Sequence, residues 1–164
     1  MIFVTVGTHS DGFDRLVEAA DRYAATSGRR VVIQRGASRY RPEHADSFEF
    51  APATEIEVLS RSADVIVTHA GAGSLLTSLA ACANVVAVPR QRQHGEHMDD
   101  HQLELASALH EAGRVRMVLD LAELPVVLDG TSTRTAASAS SDGVPLLPYL
   151  QRRLADLAGS QEHR

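Results

Sequence analysis

A chain of 164 residues and 17.6 kDa, 44% hydrophobic and 23% charged, is long enough for one globular domain with a sizeable core and leaves little for a second. Its formal net charge of −5 argues against a general nucleic-acid binder, and all sixteen basic residues are arginine, which excludes a Schiff-base lysine or a Walker-A lysine. A single cysteine, Cys82, excludes a disulfide framework and fits a reducing compartment. No apolar run reaches the length of a membrane span, and the opening IFVTVG reads as structure and not as a signal peptide, so a soluble, cytoplasmic protein is expected.

In chain order, Ile2–Val6 reads as a strand and Phe13 to Ser27 as an amphipathic helix with Leu16, Val17, Ala20, Tyr23 and Ala24 on one face. Asp11 stands near its cap and Gly28 ends it. Val31–Gln34 and Ser47–Phe50 follow as strands. Thr54-Glu55-Ile56-Glu57 has the form of a capping box opening a short helix towards Arg61. Asp64–His69 is a fourth strand, Ala72–Cys82 a helix, and Val85–Val88 a fifth strand closed by Pro89. A longer helix is expected from Glu96 to Ala112, then a last strand Val115–Val118, with Asp120 capping another short helix. Short apolar runs alternating with amphipathic stretches predict βαβ units, hence a Rossmann-like, doubly wound parallel sheet over residues 1–128. Asp129–Gly143, rich in Ser, Thr, Ala and Gly, reads as a flexible linker. Residues 144–164 read as a C-terminal helix whose Leu147, Leu150, Leu154 and Leu157 form a seam for a partner surface.

Three constellations can carry chemistry. Val65–Leu79 is strand, glycine turn (Gly71-Ala72-Gly73-Ser74), then helix, an arrangement in which backbone approaches a ligand closely and first-turn amides suit a phosphate. It is not the dinucleotide fingerprint, since Leu76 stands where the third glycine belongs, and a plain tight turn explains it equally well. The second is the Gly7-Thr8-His9 loop after the first strand. Strands one and four are the expected neighbours at the switch point, so the two loops should face one crevice for an anionic ligand. His9 alone reads equally as a loop residue capping the first helix. The third, Pro89–Ala106, gathers Arg90, His94, Glu96, His97, Asp99, Asp100, His101 and Gln102. It fits a metal site built on His94, His97 and His101, a solvated helix start, or hydrogen-bonding groups for sugar hydroxyls, and periodicity does not choose among them.

Together FVTVGTHSDGFDRL, IQRGASRYRP, ADVIVTHAGAGS and VPRQRQHGEHMDDHQLELA, in this order, resemble the C-terminal domain of glycosyltransferase family 28 from Met1 to about Leu128. The similarity is greatest to its free-standing small subunits in two-component UDP-sugar transferases, those of the dolichol pathway and of bacterial exopolysaccharide synthesis. The resemblance implies the donor-binding half of a GT-B fold, with UDP-sugar as substrate and neither metal nor other cofactor. A membrane-associated partner subunit would supply the acceptor half for a lipid-linked saccharide acceptor, drawing this chain to the inner face of the membrane. It also implies that Gly7, Thr8 and His9 form one phosphate-side loop and that His69, Gly71, Ala72, Gly73 and Ser74 form the other; the general base would come mainly from the partner, with His9 the best candidate within this chain. Asp100, His101 and Gln102 would contact the donor sugar, with Arg90, His94, Glu96 and Asp99 in the same motif. The chain departs from the family pattern at Thr77, where a ribose-binding Glu is usual, at Ser10, where Glu follows GTH, and at Cys82-Ala83-Asn84, where a G-K-P turn is usual. The Thr77 departure leaves a second expectation open, a partner-binding subunit of this fold that has lost nucleotide binding.

Overall fold

The computed structural model describes residues 1–82, 84–96 and 101–131. Six strands, β1 (Ile2–Thr5), β2 (Val31–Gln34), β3 (Asp46–Phe48), β4 (Val65–Thr68), β5 (Val85–Ala87) and β6 (Arg116–Met117), form one sheet in the order β3-β2-β1-β4-β5-β6, every pair parallel. Helices α1 (Asp14–Ser27), α2 (Ala53–Ser62), α3 (Ala72–Ala81), α4 (His101–Glu111) and α5 (Leu124–Thr131) complete the fold. The central strands β1, β2 and β4 are buried along their whole length, as expected of a parallel sheet covered on both faces.

Period-two alternation divides the core. Ile2 and Val4 of β1 pack with Leu16, Val17, Ala20 and Tyr23 of α1 and with Leu124 and Leu128 of α5. Phe3, Val32 and Ile66 point the other way, towards Ile56 and Leu59 of α2 and Ala81 at the end of α3. Each fully buried Leu, Val, Ile or Phe contributes about 1.5–3 kcal/mol of transfer free energy. This two-sided cover is the doubly wound arrangement read from the sequence.

Several local expectations need correction. The Thr54–Glu57 capping box does not form: α2 begins at Ala53 behind Pro52, with no side-chain cap, because Pro52 already sets an extended residue ahead of the first turn. Asp11 does not cap α1. The Phe13 amide at its head donates instead to Ser38 Oγ at 2.8 Å, and Asp14 in the first turn accepts from the amides of Arg39 and Tyr40 at 2.6 and 3.0 Å. Strand β3 lies at Asp46–Phe48, one to two residues before the expected Ser47–Phe50. Asp129–Thr131, read as the start of a linker, are the last turn of α5: Tyr23 Oη donates to Asp129 Oδ1 at 2.7 Å, and Arg29 donates to the Leu128 carbonyl at 3.1 Å. The rest of the expected linker and the helix over residues 144–164 lie outside the described residues.

One buried carboxylate shapes the approach to β3. Asp21 on α1 is 1% exposed and accepts from the amides of Glu43, His44 and Ala45 at 3.1, 2.8 and 2.9 Å and from Tyr40 Oη at 3.1 Å. Burial alone would push this carboxyl up. The amide donors outweigh it and hold the pKa down at about 2.

Candidate functional site

In an open parallel sheet, ligands bind beyond the carboxyl ends of the strands where the strand order reverses. Here that point lies between β1 and β4, which pair in register from Ile2–Val65 to Thr5–Thr68. The loop after β1 (residues 6–13) and the turn after β4 (residues 69–71) therefore flank one crevice, as the sequence suggested.

The His69 ring, 7% exposed, sits where both glycine turns come closest. A Cβ built on Gly7 would lie 2.7 Å from Nε2 of this ring, and one on Gly71 would lie 3.2 Å from its Cδ2. Any larger residue at either position meets the imidazole. Gly7 also takes a left-handed φ of +77°, which a side chain would strain. Beside them Ala70, fully buried, holds φ at +65°, a conformation costly for a residue with a Cβ. The run Thr68-His69-Ala70-Gly71 thus bends sharply out of β4 into α3, whose N-cap is Gly71.

At the head of α3 stand Ala72, Gly73 and Ser74, with no acidic residue in the first turn. The amides of a first turn have no partner within the helix and carry its positive dipole end. Gly73 is exposed, and a Cβ on it would meet nothing within 4 Å, so a side chain at this position would stand in open space.

The opposite wall is held from beneath. Gln34, 3% exposed at the end of β2, clamps Gly7: its Nε2 donates to the Gly7 carbonyl at 2.8 Å and its Oε1 accepts the Gly7 amide at 3.2 Å. Arg90, fully buried, ties both ends of the β1–α1 loop, its Nη2 donating to the Val6 carbonyl at 3.1 Å and its Nη1 to the Gly12 carbonyl at 2.6 Å. At Gly12 the loop from β2 comes so close that a Cβ would lie 2.7 Å from the Ser38 Cα.

Several expected ligand residues have other work. Arg90 lies under the loop and not on the crevice surface. Glu96, 9% exposed, forms a two-point ion pair with Arg15 of α1 (2.8 and 3.0 Å) and accepts the Gln91 amide at 3.1 Å, so both carboxylate oxygens are taken. It precedes the described part of α4 and is not its first turn. Gln102 Oε1 accepts the Arg90 amide at 3.2 Å. Thr8 and His9 form the exposed tip of the first loop. His9 Nδ1 accepts the Asp11 amide at 3.2 Å, so His9 does not cap α1.

Thr77, exposed on the next turn of α3, donates its hydroxyl to the Gly73 carbonyl at 3.1 Å. His94 is exposed in the single 3₁₀ turn Arg92–His94, and His101 lies at the start of described α4, 3.8 Å from Glu104. His97, Asp99 and Asp100 lie outside the described residues, and among those described no three His, Cys, Asp or Glu side chains group to hold a metal. Sequence reading missed Gln34, Gly12, Ser38 and Ala70.

Parallel strands in the order β3-β2-β1-β4-β5-β6 with helices on both faces make a Rossmann-like α/β half. The family model for the glycosyltransferase family 28 C-terminal domain matches residues 1–138, and the chain belongs to this family. It is 30% identical over 127 residues to UDP-N-acetylglucosamine transferase subunit ALG13 of Homo sapiens, covering 70% of this chain and 10% of that protein. To the subunit of the same name from Mus musculus it is 33% identical over 124 residues, covering 69% and 10%. The chain thus spans about a tenth of the length of these curated relatives. Among solved structures, the glycotransferase of kitacinnamycin superposes with a TM-score of 0.65 at 19% identity, covering 98% of this chain and 43% of that one. The calicheamicin glycosyltransferase CalG4 gives 0.61 at 18% identity, covering 79% and 34%. These two likenesses establish the fold, a Rossmann-like half of the GT-B type.

Proposed function

We propose that this chain is the donor-binding subunit of an inverting UDP-sugar glycosyltransferase. The observation that carries the reading is the convergence of the Gly7–His9 loop and the Gly71–Ser74 turn across the β1–β4 switch point, with the His69 ring between the glycines. Amides of the α3 first turn face open space there and suit the diphosphate of UDP. In the reaction, the hydroxyl oxygen of an acceptor attacks the anomeric carbon from the face opposite UDP. The bond from that carbon to the β-phosphate oxygen breaks, and the added negative charge stays on the departing UDP. Fixed amide dipoles already aimed at that charge lower the barrier without reorganising. A general base receives the hydroxyl proton; it comes mainly from the partner subunit, with His9 the candidate within this chain.

The remaining assignments belong to the same proposal. The acceptor is a lipid-linked saccharide, and its binding half comes from a membrane-associated partner that holds this cytoplasmic chain at the inner membrane face. The relatives' printed name, a transferase subunit, supports the need for a partner. His101 and Gln102, with Asp99 and Asp100, are assigned to the sugar side of the crevice, and residues 144–164 to partner docking. Deleting the residues after Gly143 is expected to leave UDP binding intact and to abolish co-purification with the membrane partner. Full transfer by the truncated chain mixed with that partner would refute the docking role.

Thr77 favours one competing reading, a subunit of this fold that no longer binds nucleotide, because its short hydroxyl is spent on the Gly73 carbonyl. The two separate in one titration. If the crevice binds UDP, Thr77→Glu restores a carboxylate for the ribose hydroxyls and tightens UDP about tenfold by calorimetry. No UDP binding by wild type or by Thr77→Glu would favour the competing reading.

A further inference from the structure

Gln34 ends β2 with only 3% of its surface exposed, and every hydrogen-bonding position of its side-chain amide is taken. Nε2 donates to two carbonyls, that of Gly7 at 2.8 Å and that of Glu49 at 3.1 Å. Oε1 accepts from the Thr5 hydroxyl at 2.6 Å and from the Gly7 amide at 3.2 Å. These partners dictate which way the side chain faces, since a carbonyl only accepts and a backbone amide only donates. Backbone contacts follow the same path. The Gln34 carbonyl accepts the Val6 amide at 3.2 Å, and the Glu49 carbonyl accepts the Gly36 amide at 3.0 Å. A Cβ on Gly36, whose φ is +53°, would lie 2.9 Å from the Gly7 carbonyl oxygen. One neutral side chain thus joins the loop after β1 to the segment after β3 (residues 49–52).

A buried amide with all four bonds made is held in one place and holds its partners in turn. Gly7 is the residue whose left-handed turn sets the β1–α1 loop against His69, and Gln34 grips it by both its N–H and its C=O. We infer that Gln34 is a positioning residue for ligand binding: without touching the ligand, it locks Gly7 and the segment after β3 into one wall of the crevice. This rests on the donor-binding reading above and adds to it a side chain outside the two glycine turns. The position demands glutamine. Glutamate would set carboxylate lone pairs against the Gly7 and Glu49 carbonyls, and asparagine is one methylene short of them. Methionine fills the volume and offers no donor at all.

The test titrates UDP into the full chain by calorimetry from about pH 5.5 to about pH 8.5, in wild type, Gln34→Met and Gln34→Glu, each shown folded by its amide spectrum. Each variant is compared with wild type at the same pH. Titration of UDP itself, of His69 beside Gly7 and of the Glu49 carboxylate paired with Arg35 and Arg41 then cancels. Gln34→Met is expected to weaken UDP about tenfold at every pH. Burial and two facing carbonyls raise the pKa of the carboxyl in Gln34→Glu, and its protonated form restores one donor. This variant is therefore expected within about threefold of wild type at the acid end and at least about tenfold weaker than that at the alkaline end. A merely structural residue would lower the melting temperature of both variants and leave these ratios near one. Affinity within about twofold of wild type in both folded variants would overturn the inference, and so would a loss in Gln34→Glu that does not change with pH. If Gln34→Met does not fold, the pH profile of Gln34→Glu decides alone. A wild type that binds no UDP removes the donor-binding reading and this inference with it, a failure visible before any substitution is made.

Discussion

A folded Gly73→Val protein is expected to lose UDP binding by at least about a hundredfold, roughly 3 kcal/mol. Two features make this substitution informative. A Cβ at Gly73 meets no protein atom within 4 Å, so nothing in the fold resists it, and valine is no poorer a helix former than glycine. The cost therefore appears only when something else occupies the open space above the first turn of α3. Gly7 and Gly71 would be worse choices, because a side chain at either collides with His69 and disturbs the free protein as well. Thermal melting of Gly73→Val within a few degrees of wild type, together with loss of UDP heat, is the predicted pair of results.

The second large effect is on stability. Asp21→Ala is expected to cost roughly 2–4 kcal/mol, because it strands the amides of Glu43, His44 and Ala45 and the hydroxyl of Tyr40 around an empty site. Denaturant unfolding measures it. The pH dependence has a definite sign. The folded carboxyl sits at about 2, below its ordinary 3.8, so its stabilisation is full above about pH 4 and is lost as pH falls from there towards 2. Wild type should lose stability across that window, and Asp21→Ala should lose correspondingly less. Parallel acid profiles for the two proteins would show that Asp21 is not the group responsible.

The sheet was legible because it obeys local rules. Ile2–Thr5, Val31–Gln34 and Val65–Thr68 are short, mainly apolar runs set between amphipathic stretches, which is enough to recognise buried parallel strands and to expect β1 beside β4. Glycine turns after β1 and β4 were legible for the same reason. What sequence spacing could not reveal were pairings between distant segments. Arg15 meets Glu96 across 81 positions and Arg90 reaches Gly12 across 78, so Glu96 read as the start of a helix and Arg90 as one more member of the donor motif. Likewise Ser38 takes the amide at the head of α1, where Asp11 looked the natural cap, and Tyr23 draws Asp129 into α5, where composition suggested a linker. Polar residues in the HGEHMDDHQ motif look equally available in sequence. Only tertiary contacts separate the struts, Glu96 and Gln102, from the exposed His94.

The central claim, that the β1–β4 crevice receives the donor diphosphate, is tested most directly by titrating isotope-labelled protein with UDP and mapping the backbone amides that shift. The account predicts the largest saturable shifts at Gly7, Thr8, His9 and at Gly71 to Ser74, the loops that flank the switch point. Shifts confined to another part of the sheet, or none at millimolar UDP, would contradict it.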